Sequence, residues 1–271
     1  MEDNIQEMYQ RARKAFDEVR FLPQEKVNEM VQAVAWELMK EDVRHKLGHM
    51  AVDESGIGNA EDKVNKIKNK TLGTLWDMRN AITCDLIEED KALGIRKFAK
   101  PIGVIANVVP CTNPESTICC LALSTLKTRN AQIVSPHPRT QKTSYETVQH
   151  VRKALKKIGA PADLVQCIEK TNHAKTAELM AHCDFAVATG GAALVKVVYA
   201  AGKPAQTVGA GNVVSIVDDT VDLAAAAHKI RLSKVANNSA SCSSENAVAL
   251  YEGIFDNAIE ALKSEGGYMC N

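Results

Sequence analysis

Between residues 103 and 217 the chain repeats one pattern, a short apolar run followed by a longer amphipathic stretch. The runs "GVIANVV" (103–109), "AQIVS" (131–135), "DLVQCI" (163–168), "FAVA" (185–188) and "VVSIV" (213–217) read as strands. The stretches "ESTICCLALSTLK", "SYETVQHVRKALKKIGA", "AKTAELMAHC" and "ALVKVVYAAG" read as helices, with Gly202 as the cap of the last. This alternation sets the architecture. Parallel strands need crossovers, helical crossovers cover both faces of the sheet, and the strands then become apolar throughout. The expectation is an α/β fold built on a parallel sheet with helices on both faces.

The first eighty residues carry a helical period instead. Ile5, Met8, Tyr9, Ala12, Phe16 and Val19 fall on one face. Pro23 breaks that helix, and Val27, Met30, Val31, Val34 and Leu38 begin a second stripe. A third helix is expected over "AEDKVNKIKNKTLGTLWDMRN". The segment "TCDLIEEDKALGIRKFAKP" reads as extended strands around a turn, and its polarity suggests a sheet edge.

Composition narrows the function classes. Lys+Arg and Asp+Glu both total 33, so no net field attracts nucleic acid or an anionic membrane. No run reaches the roughly 18 apolar residues of a membrane span. The acidic start "MEDNIQEMYQRARKAFDEVR" is unlike a secretory or mitochondrial presequence, which with eight scattered cysteines leads us to expect a cytoplasmic protein with reduced thiols. No C-x-x-C occurs and no H-x-x-x-H spacing is read among the seven histidines, so no metal site is expected. Cys111, Cys119, Cys120, Cys167 and Cys183 sit in apolar surroundings and read as core residues.

In sheets of this kind ligands bind outside the carboxyl ends of the strands. Three such ends are candidates for cofactor binding: "VVPCTNP" with Pro110 and Thr112, "IVSPHPR" with Ser135, His137 and Arg139, and "VATGG" with Gly190 and Gly191. The glycine pair can present backbone N–H groups to a phosphate or make a tight packing turn. His137 can touch a cofactor or simply end a strand. Cys242 stands apart in "SASCSSEN", a surround too polar for a core cysteine. It reads either as a reactive thiol or as a residue at a helix end. Glu245, three positions on, is either a general base or a solvated or capping carboxylate.

These segments, in order, carry a resemblance. "AVDESGIGNAEDKV", "KPIGVIANVVPCTNPEST", "LKTRNAQIVSPHPR", "VATGGAALVKVVYAAGKPAQTVGAGN" and "SCSSENAV" make the chain similar to the CoA-acylating branch of the aldehyde dehydrogenase superfamily, from residue 1 to about 250. The "SCSSEN" surround is most similar to members acting on sulfoacetaldehyde; those acting on acetaldehyde or succinate semialdehyde carry variants of it. The resemblance implies a Rossmann-type NAD(P)-binding domain over 1–235, preceded by helices and containing the first part of an oligomerisation hairpin at about 83–100. It places the start of a catalytic domain at 236–271. Members of this family are usually far longer, so a fragment or a truncated chain is expected, and a homo-oligomer for the full length. Two departures are local: "KVANNSAS" stands where relatives often carry Phe-Asp-Asn, and "CTNP" sets Asn113 one position from the amide of hydrolytic members.

The resemblance also implies a reaction. Cys242 is the nucleophile that makes the aldehyde carbon tetrahedral and ends as a thioester, the task for which a thiolate is suited. Asn113 and the backbone N–H of Cys242 are the expected oxyanion donors. Pro110, Thr112, Ser135, His137, Arg139, Gly190, Gly191 and Gly209 are the expected contacts of NADP or NAD. No carboxylate stands at the end of "IVSPHPRT" to take the ribose hydroxyls, and Arg139 can pair with a 2′-phosphate, so NADP is expected to be accepted. Hydrolytic members carry a glutamate in the segment matching "QTVGAGN"; here the position is Val208, with no carboxylate from Lys203 to Val217. The acyl group is therefore expected to pass to coenzyme A. The rival expectation is a cofactor-binding protein without catalysis.

Overall fold

The computed structural model describes residues 4–209 and 211–270. Four helices come first: α1 (Ile5–Val19), α2 (Gln24–Met39), α3 (Glu41–Ser55) and α4 (Ala60–Asp77). Asn4 and Asn59 cap α1 and α4 by accepting from the backbone N–H of Glu7 and Asp62. The apolar stripes of α1 and α2 are buried as their period requires, with Tyr9 half-buried at the margin. The sequence reading left 41–55 unassigned; extended backbone at Lys40 (ψ 138°) separates α3 from α2. Gly56, at φ 67°, ends α3 in the left-handed region that glycine enters freely.

The segment expected to form edge strands makes a hairpin of its own. β1 (Asp85–Asp90) and β2 (Ile95–Ala99) pair antiparallel from Asp85↔Ala99 to Asp90↔Ile95 and, among the described residues, join no other strand. Leu86, Ile87, Leu93, Ile95 and Phe98 on it are exposed. A two-stranded ribbon with bare apolar side chains is marginal by itself.

The repeat that follows folds as its alternation dictates: β3 (Val104–Val108), α5 (Pro114–Lys127), β4 (Ala131–Ser135), α6 (Gln141–Lys157), β5 (Val165–Cys167), α7 (His173–His182), β6 (Phe185–Thr189), α8 (Ala192–Ala200) and β7 (Ala205–Val208). The strand order is β5-β4-β3-β6-β7, every pair parallel. Every residue of β3 and β4 is buried, as strands covered on both faces must be. The order runs one way from β3 through β4 to β5 and the other way from β6 to β7. The topological switch, and with it the crevice, therefore lies between the carboxyl ends of β3 and β6. The sequence reading missed β7, whose "AQTV" is short and half polar.

A second unit follows: β8 (Val213–Val217), α9 (Leu223–Val235), β9 (Glu245–Leu250) and α10 (Phe255–Ser264). β8 pairs parallel with β9 and, among the described residues, with no strand of the central sheet. The expected boundary at 235/236 falls between these two paired strands. One face of this small sheet is open, with Val214 exposed and Ile216 83% exposed. No described helix is long and apolar enough to cross a membrane.

Candidate active site

The site is assembled where three loops meet. The first leaves β3 through Pro110, Cys111 and Thr112 to Asn113, and Pro114 opens α5 at the position where a missing N–H costs nothing. Asn113 is buried and occupies the N-cap, yet its side chain does not cap the helix. Its Nδ2 donates instead to the carbonyl of Ala240 at 3.0 Å.

Ala240 belongs to the second loop, which leads from α9 to Cys242. Asn237, Asn238 and Ser239 stand in succession at φ 51°, 52° and 61°. A run of left-handed non-glycine residues is costly, about 1–2 kcal/mol each, and asparagine tolerates it best. The surroundings hold it in place. The Asn237 backbone N–H donates to Asp62 Oδ2 (2.8 Å), its Oδ1 accepts from Asn59 N (2.9 Å), and its Nδ2 donates to Ala240 O (3.2 Å). Asn238 Nδ2 donates to Gly58 O at 3.0 Å, and Ser239 Oγ donates to Lys234 O. The junction of α3 and α4 therefore shapes the loop that presents Cys242. Cys242 itself is exposed with a free thiol.

The third loop follows β7. A Cβ at Gly211 would lie 2.5 Å from the carbonyl oxygen of Cys242, so only glycine permits this approach. That contact brings the cysteine to the carboxyl edge of the parallel sheet, the edge that carries the switch crevice.

Two lysines of α4 reach these loops, and the sequence reading did not single them out. Lys63 is fully buried and its Nζ donates to Thr112 O at 2.5 Å, beside Asn113. Lys66, one turn on and half-buried, lies 3.5 Å from Ser241 Oγ, beside Cys242. Burial lowers the pKa of both amines; Glu115 opposes this for both, helped by Cys111 at Lys63 and by Cys242 at Lys66. Glu115, in the first turn of α5, is fully buried with Oε2 unpartnered, and burial raises its pKa against the pull of Lys63 and Lys66. A lysine stripe on a helix reads in sequence as a solvated face. Only the packing of α4 against α5 makes it interior.

The other expected residues scatter around this centre. Pro110 and Thr112 are half-buried at the end of β3. Ser135, at the end of β4, is 1% exposed and its hydroxyl bonds Thr176 (2.8 Å) and Thr171 (3.2 Å). His137 is half-buried; its Nδ1 accepts from Arg139 N, and burial together with the Arg139 charge lowers its pKa. Arg139 is exposed and donates from Nη2 to Ser55 O, where α3 ends. Gly190 N bonds Val208 O at 3.0 Å, and a Cβ there would meet Leu194 at 2.7 Å. Gly191 is the exposed N-cap of α8 with no side-chain cap, so the first-turn N–H groups of that helix have no cap to receive them. Val208 and Gly209 are exposed at the end of β7. Glu245 opens β9, half-buried, with Oε2 buried and unpartnered.

Two expectations need correction. Cys119, Cys167 and Cys183 are buried, but Cys111 and Cys120 are only half-buried, Cys111 in the loop after β3 and Cys120 on the face of α5 toward Lys70. And the histidines do hold a chelating spacing: His45 and His49 lie one turn apart on α3, with Glu61 of α4 beside them.

The chain's sequence matches the model of the aldehyde dehydrogenase family over residues 1–266. It is 40% identical over 258 residues to a sulfoacetaldehyde dehydrogenase of an Acholeplasma species, covering 95% of this chain and 53% of that protein. It is 40% identical over 265 residues to the acylating sulfoacetaldehyde dehydrogenase of Bilophila wadsworthia, covering 98% and 57%. The fold matches an acetylating aldehyde dehydrogenase from Geobacillus thermoglucosidasius with a TM-score of 0.94 at 33% identity, over 98% of this chain and 59% of that one. It also matches a Rhodopseudomonas palustris propionaldehyde dehydrogenase solved with bound CoA and an acylated cysteine, with a TM-score of 0.88 at 29% identity, over 100% and 62%. The chain spans about half to three fifths of the length of these proteins.

Proposed function

The chain belongs to the aldehyde dehydrogenase family, and we propose that it supplies the cofactor-binding part and the nucleophile of a CoA-acylating aldehyde dehydrogenase. One observation carries this reading: the exposed thiol of Cys242 sits in a loop clamped to Asn113, at the carboxyl edge of the parallel sheet.

In this reading the thiolate of Cys242 adds to the aldehyde carbon, and the carbonyl electron pair moves to oxygen. Asn113 has a second N–H beyond the one given to Ala240, and with the backbone N–H of Cys242 it can hold that oxyanion. The uncapped first turn of α8, behind Gly191, fits a pyrophosphate, and Arg139 stands at the end of β4 where a ribose lies in such sheets. A nicotinamide cofactor held there would supply the hydride acceptor for the tetrahedral carbon. The thioester left on Cys242 then loses its acyl group to the thiol of coenzyme A, and the cysteine thiolate is expelled.

Val208 supports thiol over water as the acceptor. Its side chain takes no proton, and general-base help to water is worth roughly a hundred- to ten-thousand-fold. Sulfoacetaldehyde is the substrate we favour, on the relatives at 40% identity and the "SCSSEN" surround. The exposed apolar residues of the β1–β2 hairpin support its packing against another copy of the chain. No observation favours a protein that binds cofactor without catalysis.

The test is the complete gene product with aldehyde and oxidised cofactor, with and without coenzyme A. A single burst of reduced cofactor that stalls until the thiol is added is expected. Steady turnover to free acid without coenzyme A overturns the acylating reading.

A further inference from the structure

Among the described residues Lys66 makes no ion pair within 4 Å. Its contact to Ser241 Oγ, at 3.5 Å, is at the limit of hydrogen bonding, and an ammonium carries three donors. Burial acts most on its charge, followed by Glu115 from α5, Cys242 from the loop, and Lys63 and Lys70 from its own helix. Two of these repel it. Glu115 makes no ion pair with it within 4 Å and is shared with Lys63, which is itself spent on Thr112 O. A half-buried ammonium in such company gains from any anion brought beside it, because the low local dielectric strengthens the attraction.

Lys66 also stands in a particular place. Its ammonium approaches Ser241, the residue next to Cys242, and the Cys242 thiol acts on its charge. We propose that Lys66 recognises an anionic group, sulfonate or carboxylate, on the aldehyde substrate a few bonds beyond the carbonyl carbon. The proposal rests on the reading of Cys242 as the nucleophile, and it makes Lys66 the residue that separates charged from neutral aldehydes.

Two measurements test it and keep its failure distinct from that of the parent reading. In the first, kcat/KM is compared for sulfoacetaldehyde, succinate semialdehyde, acetaldehyde and propionaldehyde in the complete gene product and its Lys66→Met and Lys66→Arg variants. Lys66→Met should lose about ten- to a hundred-fold on the charged aldehydes and less than about three-fold on the neutral ones, with Lys66→Arg recovering part of the loss. The sulfonate-to-carboxylate ratio tells which anion the site prefers. Equal losses on charged and neutral aldehydes, or none, overturn the proposal and leave the acylating chemistry standing. The second measurement needs no turnover. Alkylation of Cys242 by iodoacetamide, followed by mass spectrometry of its peptide, is run with 2-hydroxyethanesulfonate, succinate or ethanol. The anions should slow it in the wild type and not in Lys66→Met; equal rates in both proteins overturn the proposal.

A separate observation concerns metal. His45 Nδ1 and His49 Nε2 lie 4.0 and 3.7 Å from Glu61 Oε1, and the three ligand atoms are all within 4.8 Å of one another. With zinc bonds of about 2.0–2.2 Å, tetrahedral ligand atoms sit about 3.3–3.5 Å apart, a contraction that side-chain torsions at this surface can supply. The geometry points to a zinc-class divalent site that ties α3 to α4, next to Asp62 and Lys63. Calorimetric titration with ZnCl2 should find one site that weakens at least ten-fold in His45→Ala/His49→Ala, whereas MgCl2 should give no heat of binding. Equal zinc affinity in the two proteins, or no binding to the wild type, overturns it.

Discussion

The side-chain amide of Asn113 bonds the carbonyl of Ala240 at 3.0 Å, tying the end of β3 to the loop that presents Cys242, 127 residues further along the chain. Asn237 donates to the same carbonyl at 3.2 Å and to Asn113 Oδ1 at 3.4 Å. The two asparagines fix where the nucleophile stands relative to an oxyanion donor. Asn113→Ala removes both the tie and the donor. We expect kcat to fall about a hundred- to a thousand-fold with KM little changed. A loss below ten-fold would show that Asn113 only braces the loop.

Cys242→Ala should abolish oxidation of aldehyde while leaving cofactor affinity intact, since the thiol is exposed and the mutation removes no packed group. Fluorescence titration with reduced cofactor measures the binding, and absorbance at the nicotinamide band measures turnover. Substantial turnover by the mutant would remove Cys242 from its role.

Gly211→Ala is a geometric test of the third loop. The new Cβ would sit 2.5 Å from Cys242 O, an impossible approach, so the backbone on one side must shift. A shift of about 1 Å at a nucleophile can cost on the order of a hundred-fold. We expect kcat/KM to drop about ten- to a hundred-fold with melting temperature nearly unchanged; unchanged kinetics would mean that the loop adapts freely.

Arg139 is tethered by one guanidinium nitrogen to Ser55 O, which leaves donors of its planar fork for a phosphate. Arg139→Ala should lower kcat/KM for NADP more than for NAD, by about ten-fold in the ratio. An unchanged ratio would assign Arg139 to holding the end of α3 alone.

The parallel sheet was legible because its strands are apolar on both faces and each is followed by a helix-length amphipathic stretch; β3 and β4 are buried throughout as that pattern requires. β7 escaped because Gln206 and Thr207 break the apolar run on an edge strand. The hairpin's strands were legible and its isolation was not, since polarity alone does not separate an edge from a free ribbon. At the site, Cys242 was conspicuous by its polar surround, whereas Lys63 and Glu115 were not. A charged residue buried by a neighbouring helix leaves no mark in its own sequence window. Ser135 stands at a strand end as expected, but which way its hydroxyl turns depends on Thr171 and Thr176, more than thirty residues on.

The last prediction concerns acid stability. Glu37 of α2 is 2% exposed and is met by Lys40 at 2.5 Å, Lys153 at 3.0 Å, His150 at 3.3 Å and Lys157 at 3.5 Å. Burial alone would raise its pKa; the hydrogen bonds from Lys40, Lys153 and His150 outweigh that and bring it from 4.5 to about 2. A carboxyl whose folded pKa lies below its unfolded one stabilises the fold above the unfolded value, and that stability is lost as pH falls through the folded one. The window here is therefore about pH 4.5 down to 2. Glu37→Gln keeps the shape and removes the charge, and should cost about 1.5–3 kcal/mol at neutral pH. Urea unfolding of both proteins at pH 7, 5 and 3 measures the difference, which should be full at pH 7 and 5 and clearly smaller at pH 3. A difference that stays constant across the three values would mean that Glu37 acts through packing and not through its charge.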